Sequence, residues 1–263
     1  MHEFPLPTAG PRAAMRYLDL PGDDLPILFV HGLGCSGSAD YPEIATNPAL
    51  RGHRALIIDR PGFGYSDCPD DYDCSVRGQA QTLADFIAAL GLERVAVYGH
   101  SAGGAVAIEL GRMLPPGVLA ALIICEPNLD AGGGATSRAL MAVAQDLGPT
   151  LPPATLQAVA EDAPGWAATT RIADTGVLFQ EASELVAGTY PSWREQLYAL
   201  AARVPTTCLF GGLSPADPDI AHLPRQRIRV DIVPGVGHFM AWQDPDAVAE
   251  AIARALRAAL PSF

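Results

Sequence analysis

Residues 99–103, Gly-His-Ser-Ala-Gly, restrict the fold of this chain more than any other stretch. The apolar residues 95–98 before them suit a strand that is covered on both faces. Residues 105–114 after them form a helical pattern that two prolines end. Glycine two residues before and two residues after Ser101 lets strand and helix approach closely around a strained serine. The stretch therefore predicts a sharp strand-to-helix turn that carries the Ser101 hydroxyl clear of a sheet.

Apolar runs and helical patterns alternate along most of the chain. Runs that predict buried strands occur at residues 26–30, 55–58, 119–125, 205–210 and 227–233. Amphipathic helices are predicted at residues 79–90 and 245–260, and residues 11–20 predict an edge strand. This alternation is typical of the α/β class, with a doubly wound, mostly parallel sheet and helices on both faces. Loops that follow the parallel strands are expected to gather at one edge of the sheet.

Residues 131–204 differ in character from the rest of the chain. Strand-like runs disappear there, and short helical patterns are separated by glycine and proline. We therefore expect an inserted helical cap at residues 131–204, on an α/β core formed by residues 1–130 and 205–263. A length of 263 residues suits one domain with such an insertion better than two independent cores.

The charge balance restricts the partners of the chain. A formal net charge of −12 and a pI of about 4.8 argue against nucleic acid and against anionic membrane surfaces. No apolar run is long enough to span a bilayer. A small-molecule substrate remains the expected partner, and nothing in the pattern specifies an oligomeric state.

Five scattered cysteines, an odd number, are typical of a reducing compartment. Free thiols are therefore predicted in preference to a bridge between Cys68 and Cys74. The first seven residues lack the basic and apolar regions of a signal peptide, so the predicted location is cytoplasmic. No zinc-type spacing occurs, and neither a metal nor another cofactor is predicted.

Four motifs together resemble the α/β-hydrolase family over nearly the whole chain. They are His-Gly-Leu-Gly at residues 31–34, Asp-Arg-Pro-Gly-Phe-Gly-Tyr-Ser at 59–66, Gly-His-Ser-Ala-Gly at 99–103 and Gly-His-Phe at 237–239. The resemblance implies a serine, an acid and a histidine in that chain order. Ser101 would attack a carbonyl carbon, and His238 would take its proton and later return it to the leaving group.

Two backbone amides are candidates for binding the negative charge that develops on the attacked carbonyl oxygen. The amide of Ala102 lies at the start of the helix after Ser101, and the amide of Leu33 lies in the glycine-rich loop. His31 is expected to brace that loop by hydrogen bonds. Asp59 and Arg60 are expected to shape a turn rather than take part in chemistry.

The acid departs from the commonest family pattern. Many relatives carry aspartate in a turn where this chain has Ser214, and serine offers no charge to a protonated imidazole. Glu126 directly follows a buried strand and is the preferred acid, because the end of a strand places a side chain reproducibly. Asp217 is the alternative if its loop bends towards His238, and Asp130 is a weaker one.

The predicted function is that of a serine hydrolase that cleaves carboxylic esters through an acyl-enzyme. The alternatives are a hydrolase of C–C bonds in diketone or dienoic substrates, and a non-catalytic small-molecule receptor on the same scaffold. A mostly apolar acyl pocket is expected. Its candidate lining residues are His100, Tyr190, Trp193 and Phe239.

Overall fold

An eight-stranded sheet forms the centre of the computed structural model, which describes residues 1–8, 12–161 and 163–260. The strands are β1 (His2–Leu6), β2 (Ala13–Leu20), β3 (Asp24–Val30), β4 (His53–Asp59), β5 (Val95–His100), β6 (Leu119–Cys125), β7 (Thr206–Gly211) and β8 (Ile228–Val233). Their order across the sheet is β1-β2-β4-β3-β5-β6-β7-β8. The pairs β1–β2 and β2–β4 are antiparallel, and all the pairs formed among β3 to β8 are parallel. The predicted fold class is confirmed.

The prediction of an edge strand at residues 11–20 is wrong. Strand β2 pairs with β4 on one side and with β1 on the other, so β1 is the edge. Strand β1 is short and contains Pro5, which cannot donate a hydrogen bond to a neighbour. Proline at such a position is tolerated on an edge strand, but it hides the strand from pattern analysis.

Helices cover both faces of the sheet. The core helices are α1 (Gly37–Asp40), α2 (Pro42–Ala45), α3 (Val76–Ala89), α4 (Ala102–Met113), α10 (Asp219–His222), α11 (Met240–Gln243) and α12 (Pro245–Ala259). Alternate residues of β5 point to opposite faces: Val95 and Val97 pack with α3 and α4, whereas Ala96 and Tyr98 pack with α12. Both faces of the central strands are therefore buried, as the apolar run of β5 predicts. Among the described helices, none combines the length and the apolar composition that crossing a membrane would need.

Five helices lie between β6 and β7 in the chain. They are α5 (Ala135–Leu147), α6 (Pro153–Ala160), α7 (Pro164–Thr170), α8 (Thr175–Ala187) and α9 (Trp193–Ala201). We call residues 131–204 the inserted segment. Helix α7 has no counterpart in the sequence pattern, because it has seven residues and begins with Pro-Gly. The inserted segment packs on the core through buried residues of α8 and α9, among them Leu178 and Leu197.

The turn between β5 and α4 shows why glycine is needed there. A Cβ atom on Gly99 would lie 2.5 Å from the carbonyl oxygen of Gly103. A Cβ atom on Gly103 would overlap the carbonyl oxygens of Val30 and His31. The close approach predicted for this strand and helix is therefore confirmed at both glycines.

The cysteine prediction needs one correction. Cys68 and Cys74, six residues apart, form a disulfide, whereas Cys35, Cys125 and Cys208 are buried free thiols. Sequence spacing did not favour this bridge. Because this disulfide is present, the cysteines no longer argue for a reducing compartment.

Two contacts of buried ionisable groups join distant parts of the fold. Arg60 and Glu181 are both 0% exposed and form a salt bridge between the end of β4 and α8. Asp40 at the end of α1 accepts a hydrogen bond of 3.0 Å from the Trp242 indole of α11. Burial raises the pKa of Asp40 to about 7, although the bond from Trp242 opposes that shift.

We predict that Gly103→Ala lowers the free energy of unfolding by about 3 kcal/mol, because its methyl group would meet two carbonyl oxygens that belong to the backbone. Gly104→Ala, one position along the same helix, serves as the control, because its Cβ would lie 3.0 Å from Pro127 and no nearer than 3.8 Å to a backbone oxygen, that of Gly99. Urea unfolding of both variants tests this. Equal losses at the two positions would contradict the steric explanation.

Asp40→Asn is predicted to raise the melting temperature more at pH 8 than at pH 5. The folded protein keeps the Asp40 proton up to about pH 7, whereas the unfolded chain loses it near the ordinary value of 3.8. Stability therefore falls as the pH rises between these values. The amide side chain of the variant does not titrate, so it avoids that loss while its oxygen still accepts from Trp242. Melting curves of wild type, Asp40→Asn and the exposed control Asp146→Asn would measure the difference. A gain that does not change with pH would contradict the assignment.

Candidate active site

The carboxyl ends of three neighbouring strands bring the predicted site residues together. Ser101 directly follows β5 and Glu126 directly follows β6, and His100 lies opposite Cys125 in the register of these strands. The Ser101 amide donates to the Cys125 carbonyl at 2.8 Å, and the Glu126 amide donates to the Leu209 carbonyl at 3.0 Å. Backbone hydrogen bonds of the sheet thus fix the positions of Ser101 and Glu126 independently of any contact between their side chains.

The side chains of Ser101, His238 and Glu126 form a continuous chain of contacts. The Nε2 atom of His238 lies 3.2 Å from the Ser101 Oγ atom, and its Nδ1 atom lies 3.3 Å from Glu126 Oε2. The other carboxylate oxygen of Glu126 accepts a bond of 2.8 Å from the Gly211 amide. An Nδ1–H that donates to Glu126 leaves Nε2 free to accept the serine proton.

Ser101 and Glu126 share an unusual backbone conformation. Their φ angles are +54° and +47°, in a region that residues other than glycine rarely adopt. Such strain persists only where the surrounding structure imposes it, and it occurs preferentially at functional sites. In the described ranges Arg227, at the end of a short helical turn, is the one other non-glycine residue with positive φ.

The Glu126 carboxylate is held in its charged form. Burial alone would raise the pKa of Glu126, but the hydrogen bonds to the carboxylate, led by that of His238, lower it to about 2. The carboxylate is therefore ionised at neutral pH. It can orient the imidazole and stabilise the positive charge that the ring gains on taking a proton.

The loop that carries His238 is braced from three sides. The His100 ring donates through Nε2 to the His238 carbonyl at 2.8 Å. The Gln243 side chain accepts from the Gly237 amide at 2.7 Å, and the Leu213 amide donates to the loop at Val236. Burial, followed by the proximity of His238, lowers the pKa of His100 to about 3, so this ring remains neutral. His100 lines the cleft, but its contact holds the histidine loop in place.

The glycine-rich loop (residues 31–37) lies beside Ser101. A Cβ atom on Gly32 would lie 3.3 Å from Ser101 Cβ. Among the described residues, the amides of Leu33 and Ala102 have no hydrogen-bond acceptor. His31 is buried and braces the loop as expected: Nδ1 contacts the Gly32 carbonyl at 2.8 Å, and Nε2 accepts from the Arg60 amide at 3.0 Å.

Asp217 lies in the cleft but does not reach His238 by any contact in the described part of the chain. Its carboxylate accepts a bond of 2.8 Å from the Asp219 amide and so shapes its own loop. Ser214, at the position of the commoner aspartate, also lines the cleft. Glu126 is thus the carboxylate that the geometry brings to the histidine.

A cavity of about 640 Å³ opens above Ser101 between the core and the inserted segment. Phe239 lines it, as expected, beside Leu33 and Trp166. Tyr190 and Trp193 do not line it, which corrects two of the predicted pocket residues. Tyr190, in the segment before α9, is 96% exposed, whereas Trp193, at the start of α9, packs in the main core and is 2% exposed.

The sequence pattern does not reveal the charged residues on the rim of this cavity. Arg194 of α9 binds the carboxylates of Asp130 and Asp219, each at 2.6 Å, and all three residues line the cavity. An arginine on a helix surface is expected to be solvated until its partners are known, and here they lie 64 and 25 residues away in the chain. These ion pairs therefore form a charged part of the cavity wall.

Comparison with known proteins supports the resemblance seen in the motifs. The chain superposes over 98% of its length on 99% of a thermophilic esterase from Thermogutta terrifontis, with a TM-score of 0.78 and 22% identity. It superposes over 97% of its length on all of a bromoperoxidase from Bacillus anthracis, with a TM-score of 0.76 and 17% identity. At these identities the likeness concerns the fold alone.

Curated relatives match over shorter segments. The magnesium-chelatase 30 kDa subunit of Rhodobacter capsulatus is 35% identical over 95 residues, which are 36% of this chain and 33% of that protein. The chain thus spans about a third of the length of the curated relatives that it matches. The family model is more extensive, since that of the Alpha/beta hydrolase family matches residues 27–251, from within β3 to within α12. The chain therefore belongs to the alpha/beta hydrolase family.

Proposed function

We propose that this protein is a serine hydrolase that cleaves carboxylic esters through an acyl-enzyme, with Ser101, His238 and Glu126 as its catalytic triad. The observation that carries the proposal is the chain of contacts from the serine hydroxyl through the imidazole to the carboxylate, at 3.2 and 3.3 Å. These distances are in the range that an unliganded nucleophile and base adopt before substrate tightens them. The positive φ of Ser101 and Glu126 supports their roles.

In the first half of the reaction, the Ser101 Oγ attacks the ester carbonyl carbon while His238 Nε2 takes the hydroxyl proton. The carbonyl oxygen becomes an oxyanion, and Glu126 stabilises the imidazolium that forms. His238 then gives its proton to the leaving alkoxide, and the C–O bond breaks to leave an ester on Ser101.

Two amides serve the oxyanion. The N–H groups of Leu33 and Ala102 have no partner among the described residues and flank the serine, one from the glycine-rich loop and one from the start of α4. The N-terminus of α4 adds a favourable field for negative charge. In the second half of the reaction, a water molecule gives a proton to His238 as its oxygen attacks the acyl carbon, and the carbonyl oxygen again becomes an oxyanion at the same two donors. The C–O bond to Ser101 then breaks, His238 returns its proton to the Ser101 oxygen, and the carboxylic acid leaves.

The inserted segment acts as a cap that forms the upper wall of the cleft. Near the serine the wall is apolar, at Leu33, Trp166 and Phe239, and suits a small acyl group. The cavity lining also has a polar part, which contains Asn128 and the Arg194 network. We therefore assign the acyl group to the apolar part and a polar remainder of the substrate to the polar part.

Initial rates on p-nitrophenyl acetate, butyrate and octanoate test the proposal. Ser101→Ala should abolish turnover, and Glu126→Gln should lower kcat about a thousandfold, because the imidazole loses its charged partner. Asp217→Asn, the matched control in the same cleft, should keep kcat within about twofold. Loss of activity in Asp217→Asn but not in Glu126→Gln would move the acid to the later loop.

If the wild type hydrolyses none of the esters but is labelled by a fluorophosphonate, Ser101 is a reactive nucleophile and esters are not its substrates. Diketone and dienoic substrates would then be tried. If the protein binds small molecules saturably but shows neither turnover nor labelling, the result would favour the alternative of a non-catalytic receptor. Circular dichroism of each variant would exclude misfolding as the cause of any loss.

The charge of the cleft rim predicts discrimination between substrates. Among the described residues that line the cavity, Asp130, Asp217 and Asp219 carry three carboxylates, whereas Arg194 carries the one guanidinium. Relative to p-nitrophenyl butyrate, the anionic p-nitrophenyl hemisuccinate should show a kcat/KM lowered about fivefold beyond the difference in their spontaneous hydrolysis. Asp217→Asn should reduce this difference in kcat/KM by removing one negative charge, and about 0.5 M NaCl should reduce it by screening the charges. If neither change reduces the difference in kcat/KM, its cause is the shape of the cavity rather than its charge.

A further inference from the structure

We propose that the buried salt bridge between Arg60 and Glu181 is a positioning device for the oxyanion donor at Leu33, so that helix α8 of the inserted segment takes part in building the catalytic centre. The inference rests on the proposed function of Ser101. It adds to that function two positioning residues which neither the motifs nor the triad geometry assign to the reaction.

The salt bridge reaches the glycine-rich loop by a direct hydrogen bond. The Nη1 and Nη2 atoms of Arg60 lie 2.6 and 3.1 Å from the two carboxylate oxygens of Glu181. The same Nη2 atom donates to the carbonyl oxygen of Gly32 at 3.2 Å. The guanidinium also lies 4.7 Å from the centre of the Phe63 ring, which restricts its plane further. Arg60 is therefore held in one orientation by α8 and by its own turn.

A hydrogen bond to the Gly32 oxygen determines where the Leu33 N–H points. The C=O of Gly32 and the N–H of Leu33 belong to one planar trans peptide, so they point in opposite directions. The Gly32 oxygen also accepts from the Cys35 amide at 3.2 Å and contacts His31 Nδ1 at 2.8 Å. Since His31 Nε2 accepts the Arg60 amide proton, Nδ1 must carry the ring proton and donate it. All the bonds on this peptide thus hold its oxygen away from the cleft and leave its N–H free.

The arginine also affects the strength of the donor. A charged donor on the carbonyl oxygen polarises the peptide and makes its N–H a stronger hydrogen-bond donor. Glu181 balances the buried charge, so that the guanidinium remains paired inside the protein. A neutral brace would hold the peptide plane but would not supply this polarisation.

Other side chains of the inserted segment hold the next two carbonyls of the loop. The Trp166 indole donates to the Leu33 oxygen at 2.7 Å, and Thr169 and Thr170 donate to the Gly34 oxygen at 2.8 and 3.0 Å. The loop is thus oriented from α7 and α8 together. The Arg60 and Glu181 pair is distinguished from these contacts because it acts on the peptide that carries the proposed oxyanion donor.

The test compares rates of Ser101 modification by a fluorophosphonate. In this reaction the Ser101 Oγ attacks phosphorus, His238 takes the proton, fluoride leaves, and the phosphoryl oxygen occupies the oxyanion site. The rate therefore reports on donor alignment without requiring that an ester be the natural substrate. Turnover of p-nitrophenyl butyrate, where it occurs, provides kcat and KM separately.

We call the Arg60–Glu181 pair, together with its hydrogen bond to the Gly32 oxygen, the brace. Two variants remove it in different ways. Arg60→Met with Glu181→Leu replaces the buried pair by apolar side chains, an exchange that folded proteins often tolerate. Arg60→Lys keeps the charge opposite Glu181 but lacks the planar fork that spans both partners, and it serves if the double variant does not fold. Glu184→Met is the matched control, because Glu184 lies on the same helix and accepts from the Val76 amide of the core at 2.8 Å, away from the loop.

We expect the rate constant for labelling to fall about tenfold in both brace variants, with kcat lowered similarly and KM within about twofold, and to stay at the wild-type value in Glu184→Met. Folded brace variants that are labelled at the wild-type rate would overturn the inference and leave the proposed function intact. A loss shared by Glu184→Met would also overturn it, because cap docking in general would then be the cause. A wild type that is neither labelled nor active would overturn the proposed nucleophile and, with it, this inference.

Discussion

The aligned carboxyl ends of β5, β6 and β7 are the constraint on which the rest of the site depends. Cys125 is opposite His100 on one side and Leu209 on the other, so the residues that follow β5 and β6 emerge side by side. Both Ser101 and Glu126 leave their strands with positive φ, a conformation that costs on the order of 1–3 kcal/mol each. The hydrogen bonds from their backbone amides to the neighbouring strands help to offset that cost. They also set the distance between the two side chains, into which the imidazole fits.

Much of this arrangement was predictable because it depends on local rules. The Gly-x-Ser-x-Gly motif and the family resemblance indicated Ser101. Glu126 was indicated because it directly follows a buried strand, and the end of a strand places a side chain reproducibly. The glycines around the serine followed from sterics, and both proved to have no room for a Cβ atom. The parallel sheet followed from alternation of apolar runs and helical patterns. In each case the relevant neighbours are adjacent in the chain or paired in the sheet.

The parts that were not predictable depend on contacts across long separations. Arg60 meets its partner 121 residues away, and Trp166 meets the glycine-rich loop 133 residues away. No pattern within a window of the chain reveals such pairs. The failures at Tyr190 and Trp193 have the same origin, because an aromatic residue near a helix start can face core, cleft or solvent. Which face it takes is decided by packing of the inserted segment as a whole.

The hydrogen bonds from α7 to the glycine-rich loop have a consequence for how specificity can diverge in this fold. The segment that forms the upper wall also supplies donors to the backbone of the lower wall, at the carbonyls of Leu33 and Gly34. Transplanting the equivalent segment from a relative would therefore exchange more than the shape of the pocket. A graft would need an indole or a similar donor at position 166, hydroxyls at 169 and 170, and a carboxylate at 181. Exposed side chains such as Ile172, which is 52% exposed, do not hold the loop, and we expect sequence variation at such positions.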